Sequence, residues 1–157
     1  MIEAVIKIVQ DKLVAAGLAF PNEFKGCTTQ EVQAIEDKLH VSLPSCYKDF
    51  LTAMGHKAGI FLTGTDYTFP KMLDFRTDAV RLLQSSSSKY TLLPSSFVFM
   101  FHQGYTFLFF DCANGNEDPP VFMFTAAEKE PRLISDRFSV WLVDAAKDDI
   151  AAQQELE

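Results

Sequence analysis

Residues 97–111 read FVFMFHQGYTFLFFD, and after a polar break residues 121–124 read VFMF. Aromatic and β-branched runs of this kind, interrupted by Gln103-Gly104 and by the Asn-Gly pair at 114–115, are typical of strands joined by tight turns. The sequence therefore predicts an antiparallel meander, and the other elements must be arranged around it.

In these runs both alternating sets of side chains are apolar. Phe97, Phe99 and Phe101 would lie on one face of the first strand, with Val98 and Met100 on the other. A strand with one face in water would show polar residues in one set. We therefore predict a sheet covered on both sides, with helices before and after it supplying the cover. The expected fold class is α+β, a mainly antiparallel sheet with several helices packed against it.

Length and composition indicate one ordinary globular domain, which we place at residues 1–157. The chain has 157 residues, 48% of them hydrophobic and 22% charged, and a formal net charge of −7. An acidic surface disfavours direct binding of nucleic acid or of an anionic membrane, because both are polyanions. It favours a cationic partner, or it serves solubility, which is the commoner explanation.

Cysteine usage and the N-terminus bear on compartment. Cys27, Cys46 and Cys112 are odd in number and share no CxxC spacing, so neither disulfides nor a zinc site is indicated. We expect reduced thiols, a cytoplasmic location, and no metal or cofactor. Residues 1–17 have the pattern of an amphipathic helix and lack the features of a signal peptide. No apolar stretch reaches the roughly 20 residues of a membrane helix.

The segment between residues 28 and 55 predicts two capped helices. Thr28 and Glu31 form a capping-box pattern, and Pro44 suits a helical first turn. Tyr47 and its helically spaced neighbours would form a buried stripe that ends at Gly55.

Elsewhere the patterns are shorter. We predict a strand at 59–62, a helix after Asp74 as its cap, and a last helix capped by Ser135 or Asp136. That helix should run to Ile150, with residues 153–157 frayed.

The sequence contains single residues of types that act in catalysis, but no catalytic motif. There is no phosphate-binding glycine loop, HExxH or GxSxG motif. His102 and Asp111 could pair across neighbouring strands, and a helical first turn could lower the pKa of Cys46. A structural role for the histidine and simple burial of the thiol are the more economical explanations.

Residues 28–55 contain a capped helix with Ile35, Glu36 and Leu39, followed by Leu43-Pro44, Tyr47, Phe50-Leu51 and Gly55. This pattern resembles the opening signature of the SUKH superfamily, which includes fungal cell-wall assembly regulators and many bacterial toxin-immunity proteins. A looser similarity extends it to about residues 25–143. The chain departs from the family pattern at His40, where glycine is usual, and at 54–56, where an Asn-Gly-Gly-like sequence is usual.

The resemblance implies an α+β domain without catalytic activity. It implies an immunity protein that binds a cognate bacterial toxin, commonly a nuclease, in a stoichiometric complex. The alternative is a regulatory scaffold of the fungal type, and a third hypothesis is an enzyme that uses Cys46 or His102. We expect a protein partner, no direct contact with nucleic acid or membrane, and a monomer or weak homodimer.

Loops that combine aromatic and acidic residues are the expected binding surface, because tight interfaces use aromatic anchors with complementary charge. Two loops meet this description, and their candidate residues are Asp66, Tyr67, Phe69, Asp111, Glu117 and Asp118. For Tyr67 and Phe69, packing in the core is an equally good interpretation. For the acidic turn, the alternative is a solvated loop.

Overall fold

The computed structural model describes residues 2–156 and confirms an α+β fold. The helices are α1 (Ile2–Ala15), α2 (Thr29–Leu39), α3 (Ser45–Met54), α4 (Phe75–Ser85) and α5 (Phe138–Glu155). The strands are β1 (Phe24–Lys25), β2 (Lys57–Ala58), β3 (Thr65–Asp66), β4 (Ser96–His102), β5 (Thr106–Asp111), β6 (Val121–Thr125) and β7 (Arg132–Ser135). Met1 and Glu157, the outer ends of the predicted N-terminal helix and tail, lie outside the described residues.

The meander predicted from the aromatic runs is the main sheet. Its five strands are antiparallel and follow the order β3-β4-β5-β6-β7, and β1 and β2 form a separate two-stranded pair. Strands β4 and β5 lie in the middle of the five. All their residues are buried except His102 and Asp111, which lie at their ends.

The face assignment within β4 differs from the prediction because the strand contains a β-bulge. The register with β5 shifts between Val98 and Met100, which reverses the alternation beyond Phe99. Phe101 therefore packs on Phe107 and on Phe75 of α4, with ring centroids 5.5 and 5.7 Å apart. Met100, which pairs with Leu108, lies on the opposite face, with Phe97 and Phe99.

Both faces of the sheet are covered, as the doubly apolar strands predict. On one face the rings of Phe97 and Phe99 contact Tyr47 of α3, and Phe99 also contacts Trp141 of α5. Helix α1 packs on the outer side of α5 and α3. On the other face the cover is α4 and the coil of residues 86–95, whose Tyr90 contacts Phe109.

Several predicted element ends are confirmed and others are wrong. The capping box is present: the Glu31 N–H donates to Thr28 Oγ1 (3.1 Å), and the Thr28 N–H donates to Glu31 Oε1 (2.9 Å). Asp74 precedes α4 without a side-chain capping bond. Neither Ser135 nor Asp136 caps α5, which begins after Arg137. That helix remains regular through Glu155, so the predicted fraying is wrong for residues 153–155.

The predicted strand at 59–62 is replaced by turns. Gly59 and Leu62 both have positive φ, +60° and +55°, which interrupts an extended backbone. Gly59 also packs against the segment that follows α1, and a Cβ added to it would lie 2.3 Å from the Leu18 carbonyl oxygen. The short strand in this region is instead Lys57–Ala58, paired with β1. Between residues 2 and 156, the helices lack the combination of length and apolar content needed to cross a membrane.

Candidate partner-binding surface

The first predicted binding loop is largely committed to the core. Tyr67 is 6% exposed, and its hydroxyl donates to the Phe61 carbonyl (3.0 Å). Phe69 is half-buried against the His56 ring, whereas Asp66 is exposed and pairs with Lys71 (3.0 Å). In this conformation Tyr67 has almost no surface to offer a partner. Tyr67 is therefore a core residue, as the alternative interpretation predicts, and Phe69 is partly packed in the core.

The second predicted loop, the turn between β5 and β6, caps two helices. Oε2 of Glu117 accepts the Ser45 N–H at the start of α3 (2.6 Å), and the Glu117 carbonyl accepts the Cys46 N–H (3.1 Å). Asp118 accepts the N–H and the hydroxyl of Ser139 in the first turn of α5 (2.9 and 2.5 Å). Carboxylates at helix N-termini satisfy unpaired N–H groups and oppose the positive end of the helix dipole. These two acids therefore have a structural function.

The electrostatics of Glu117 follow from this geometry. Hydrogen bonds from Ser45, with a smaller contribution from the Lys48 charge, lower the pKa of Glu117. The ionised form is thus favoured in the folded chain.

The two predicted loops do not form one surface. Thr65, next to Asp66, pairs with His102 at one end of β4, and Asp111 pairs with Ser96 at the other end. Seven residues of β4 separate these ends, which corresponds to about 20 Å. A partner that used both loops would have to span the whole sheet.

Asp111 instead lies beside an aromatic groove that the sequence did not reveal. This groove has a volume of about 430 Å³ and opens between the coil of residues 86–95 and strands β5 and β6. The residues that line it, which define the "aromatic groove" below, are Tyr90, Leu93, Ser96, Phe109, Asp111, Phe122, Glu130 and Pro131. It thus combines aromatic rings with two carboxylates.

The base of the groove is a set of packed rings. The Phe109 ring lies 5.6 Å from Phe122 and 6.2 Å from Tyr90. The coil that forms one wall is held by Arg76 of α4, whose guanidinium donates to the carbonyl groups of Leu93 and Ser96 (both 3.0 Å). The groove is therefore formed without a partner.

Charge within the aromatic groove is negative, and charge beside it is mixed. Oδ1 of Asp111 accepts the Ala113 N–H (2.9 Å), and Glu130 is exposed on the opposite wall. Burial, and to a smaller extent the Asp111 carboxylate, raises the pKa of Tyr90. Lys89 and Lys129 line an adjoining depression. A cationic side chain inside the groove would meet two carboxylates, whereas one in the adjoining depression would meet two lysines beside Glu130.

Apolar residues on the rim extend this surface. Leu93 and Leu133 are both 52% exposed, although each is a large aliphatic residue. Leu133 lies in β7 and pairs with Phe122, so it continues the groove along the sheet. Exposed aliphatic residues next to a preformed aromatic depression are typical of a protein-binding site.

The isolated catalytic candidates do not come together. His102 and Asp111 lie at opposite ends of the β4-β5 pair, so these two side chains do not pair as the sequence suggested. Nδ1 of His102 instead lies 2.9 Å from the Thr65 hydroxyl. Cys46 is buried, and burial together with the nearby Asp118 raises the pKa of its thiol. A raised pKa is opposite to the activation that a nucleophilic thiol requires.

Comparison with known proteins agrees with the signature in α2 and α3. No curated protein matches the chain at a significant level. The model of the SMI1 / KNR4 family (SUKH-1) matches residues 26–144, which include α2, α3 and the complete five-stranded sheet. The chain therefore belongs to the SMI1 / KNR4 family.

Proposed function

We propose that this chain is a cytoplasmic immunity protein that neutralises a cationic protein toxin by stoichiometric binding, without catalysis. The observation that carries the proposal is the aromatic groove, which places Tyr90, Phe109 and Phe122 beside the carboxylates of Asp111 and Glu130. The groove occurs in an acidic chain of the SMI1 / KNR4 family. The resemblance of this chain to the wider SUKH superfamily implies toxin immunity. A nuclease toxin fits, because its phosphate-binding surface must be basic.

The groove suits an arginine or lysine side chain of the partner. A guanidinium can stack on an aromatic face while its N–H groups donate to a carboxylate, and both interactions strengthen when water is excluded. The exposed Leu93 and Leu133 on the rim would then contact apolar residues around that cation. This arrangement has the anatomy of a binding hot spot, an anchor in a pocket surrounded by contacts that exclude water.

The surroundings of the two candidate catalytic side chains, Cys46 and His102, support a function without catalysis. Burial and Asp118 disfavour ionisation of Cys46, and His102 has a threonine rather than a carboxylate as its neighbour. Inhibition by occupancy needs neither group. One toxin molecule should be neutralised by each immunity protein.

Co-expression with the toxin encoded by the adjacent gene, followed by co-purification, tests the proposal. The wild-type chain should rescue growth and form a 1:1 complex. Tyr90→Ala and Glu130→Lys should each weaken the complex at least about tenfold, since the loss of a hot-spot residue costs about 2 kcal/mol or more and about 1.4 kcal/mol corresponds to a factor of ten. Asp66→Lys, an exposed acid at the other end of β4, is the matched control and should bind like the wild type.

Two results would contradict the proposal. Failure of the wild-type chain to bind or protect against the toxin would remove the immunity function. The second result is that both groove variants bind with wild-type affinity while Asp66→Lys binds more weakly. The interface would then lie at the β3 end of the sheet, and the immunity function would still hold.

A further inference from the structure

Three potential metal ligands lie together beside the N-terminus of α2, two from the start of that helix and one from the segment that follows α3. They are Sγ of Cys27, the carboxylate of Glu31 and a ring nitrogen of His56, and their ligand atoms all lie within 4.8 Å of one another. Nε2 of His56 lies 2.9 and 3.0 Å from the two oxygens of Glu31. Thiolate, imidazole and carboxylate are the three ligand types that Zn²⁺ takes from proteins.

The backbone around each of the three residues is fixed. The Cys27 N–H donates to the Leu51 carbonyl of α3 (2.7 Å), and the His56 N–H donates to the Lys25 carbonyl (2.9 Å). Glu31 is held in the first turn of α2 by the capping box. Formation of the site therefore requires no rearrangement of the main chain.

Glycine makes the approach of Cys27 to α3 possible. A Cβ on Gly55 would lie 2.7 Å from Cys27 Sγ, and a Cβ on Gly26 would lie 1.7 Å from the Thr52 carbonyl oxygen. Each of these glycines directly precedes one of the ligands, Cys27 or His56. A side chain at either position would push the thiol away from the other two ligands.

We propose that Cys27, Glu31 and His56 form a Zn²⁺ site that links the N-terminus of α2 to the C-terminal end of α3. Zn²⁺ binds Sγ of Cys27, Oε2 of Glu31 and Nε2 of His56, and water takes the fourth position. The thiol proton is released to solvent, and the His56 ring carries its proton on Nδ1. One Zn²⁺ with one thiolate and one carboxylate gives an electrically neutral site.

The observed spacing fits this coordination after a small movement. With a Zn–S bond of about 2.3 Å and Zn–N and Zn–O bonds of about 2.0 to 2.1 Å, tetrahedral ligand atoms are about 3.3 to 3.6 Å apart, so side-chain shifts of roughly 1 Å suffice. Oε1 of Glu31 can keep the Thr28 N–H while Oε2 binds the metal. The side chains of Glu31 and His56 are 28% and 34% exposed, which leaves a path for the ion and room for the water ligand.

The competing explanation is an ordinary ion pair between Glu31 and His56 beside a buried thiol. Burial and the Glu31 carboxylate raise the pKa of Cys27 to about 12, so the thiol is protonated when no metal is bound. An ion pair of this kind would not depend on Cys27. Participation of the cysteine therefore distinguishes the two explanations.

Titration of the chelator-treated, full-length chain with Co²⁺ and Zn²⁺ tests the site. Co²⁺ should give the near-ultraviolet charge-transfer band of a cobalt-thiolate bond together with tetrahedral visible bands, and one equivalent of Zn²⁺ should abolish both. Cys27→Ser should remove the thiolate band, and His56→Gln should weaken Zn²⁺ binding at least about tenfold. Cys112→Ser, which changes a thiol outside the cluster, should behave like the wild type.

A second variant covers the case in which Cys27→Ser fails to fold. Glu31→Gln keeps the capping geometry, because glutamine also serves in a capping box, but it removes the ligand charge. It should leave the circular dichroism spectrum unchanged and reduce Zn²⁺ affinity. Absence of a thiolate band in the wild type, or an unchanged band in Cys27→Ser, would overturn the proposal.

Discussion

Tyr47 and Tyr67 are both buried, and they differ in what their hydroxyl groups contact. Tyr67 donates to the Phe61 carbonyl, whereas the hydroxyl of Tyr47, which is 0% exposed, has no hydrogen-bond partner among the described residues. An unsatisfied buried polar group costs about 1 to 3 kcal/mol, and a satisfied one contributes about 1 kcal/mol. The same substitution should therefore have opposite effects at the two positions.

We predict that Tyr47→Phe raises the free energy of unfolding by about 1 kcal/mol and that Tyr67→Phe lowers it by about the same amount. Urea unfolding of the two variants and the wild type at neutral pH measures both changes. The ring contacts of Tyr47 with Phe97 and Phe138 are retained in Tyr47→Phe, which isolates the hydroxyl. A loss of stability in Tyr47→Phe would reveal a buried water that accepts the hydroxyl proton.

His40 occupies a backbone position that glycine fills at lower cost. It ends α2 in the left-handed region, with φ 54° and ψ 46°, and its side chain is exposed. A left-handed non-glycine residue costs about 1 to 2 kcal/mol, and part of this is offset because glycine makes the unfolded chain more flexible. His40→Gly should therefore stabilise the chain by about 0.5 to 1 kcal/mol in urea unfolding.

Ser42→Gly is the matched control for His40→Gly. Ser42 is also exposed but is not among the residues with positive φ, so glycine there brings only flexibility and should destabilise slightly. Equal effects of the two substitutions would show that the left-handed backbone carries no strain.

Sequence patterns predicted the helices and strands that are specified by residues close together in the sequence. The capping box of Thr28 and Glu31 and the meander depend on neighbouring residues, and both are present. The bulge at Phe99 was not predictable, because every residue from 97 to 101 is apolar and the pattern fits either register. The prediction places the cap of α5 at Ser135 or Asp136, because both lie next to the helix in the sequence. The observed cap instead lies 21 residues before Ser139 in the chain.

That long-range cap gives a prediction for α5. Asp118→Ala should lower the free energy of unfolding by about 1 to 2 kcal/mol, because a half-buried carboxylate that satisfies the first turn of a helix is lost. Asp136→Ala removes an exposed carboxylate from the position that local sequence favours as the cap, and it should change stability by less than about 0.5 kcal/mol. Urea midpoints of the two variants measure the difference, and a reversed order would mean that Asp118 does not cap α5.

The cap on α3 should make stability depend on pH through Glu117. Its pKa is lowered in the folded state, so its contribution is fully present above the unfolded pKa of about 4.3 and is lost as pH falls through the folded value. Relative to Glu117→Gln, the wild type should lose stability over the acid range below about pH 4.3. Urea midpoints of both proteins across this range provide the measurement, and parallel curves would contradict the assignment.

At the scale of the whole molecule, the fold is more predictable from the sequence than the aromatic groove that we propose as the binding surface. The aromatic groove is formed by the coil of residues 86–95 together with β5 and β6, which are neighbours only after folding. One signal was available, because Tyr90, Leu92 and Leu93 are apolar residues without helical or strand periodicity just after a serine-rich connector. Of the six predicted binding residues, Asp111 alone lines this groove, because the turn acids cap helices and Tyr67 is buried.

In the proposed complex with a toxin, the net charge of −7 and the aromatic groove should act on different steps of binding. Long-range attraction accelerates encounter and is screened by salt, since the Debye length falls from about 30 Å at 0.01 M to about 3 Å at 1 M. Groove contacts form only in the docked complex, so they control dissociation. Raising NaCl from about 0.05 to 0.5 M should therefore lower the association rate constant at least about tenfold.

Tyr90→Ala should show the complementary behaviour. It removes a ring and no charge, so it should raise the dissociation rate constant and leave the association rate constant and its salt dependence close to wild type. Surface plasmon resonance or stopped-flow fluorescence with the purified toxin separates the two constants. An association rate constant that does not respond to salt would mean that the acidic exterior serves solubility rather than recognition, and the groove alone would then have to account for the affinity.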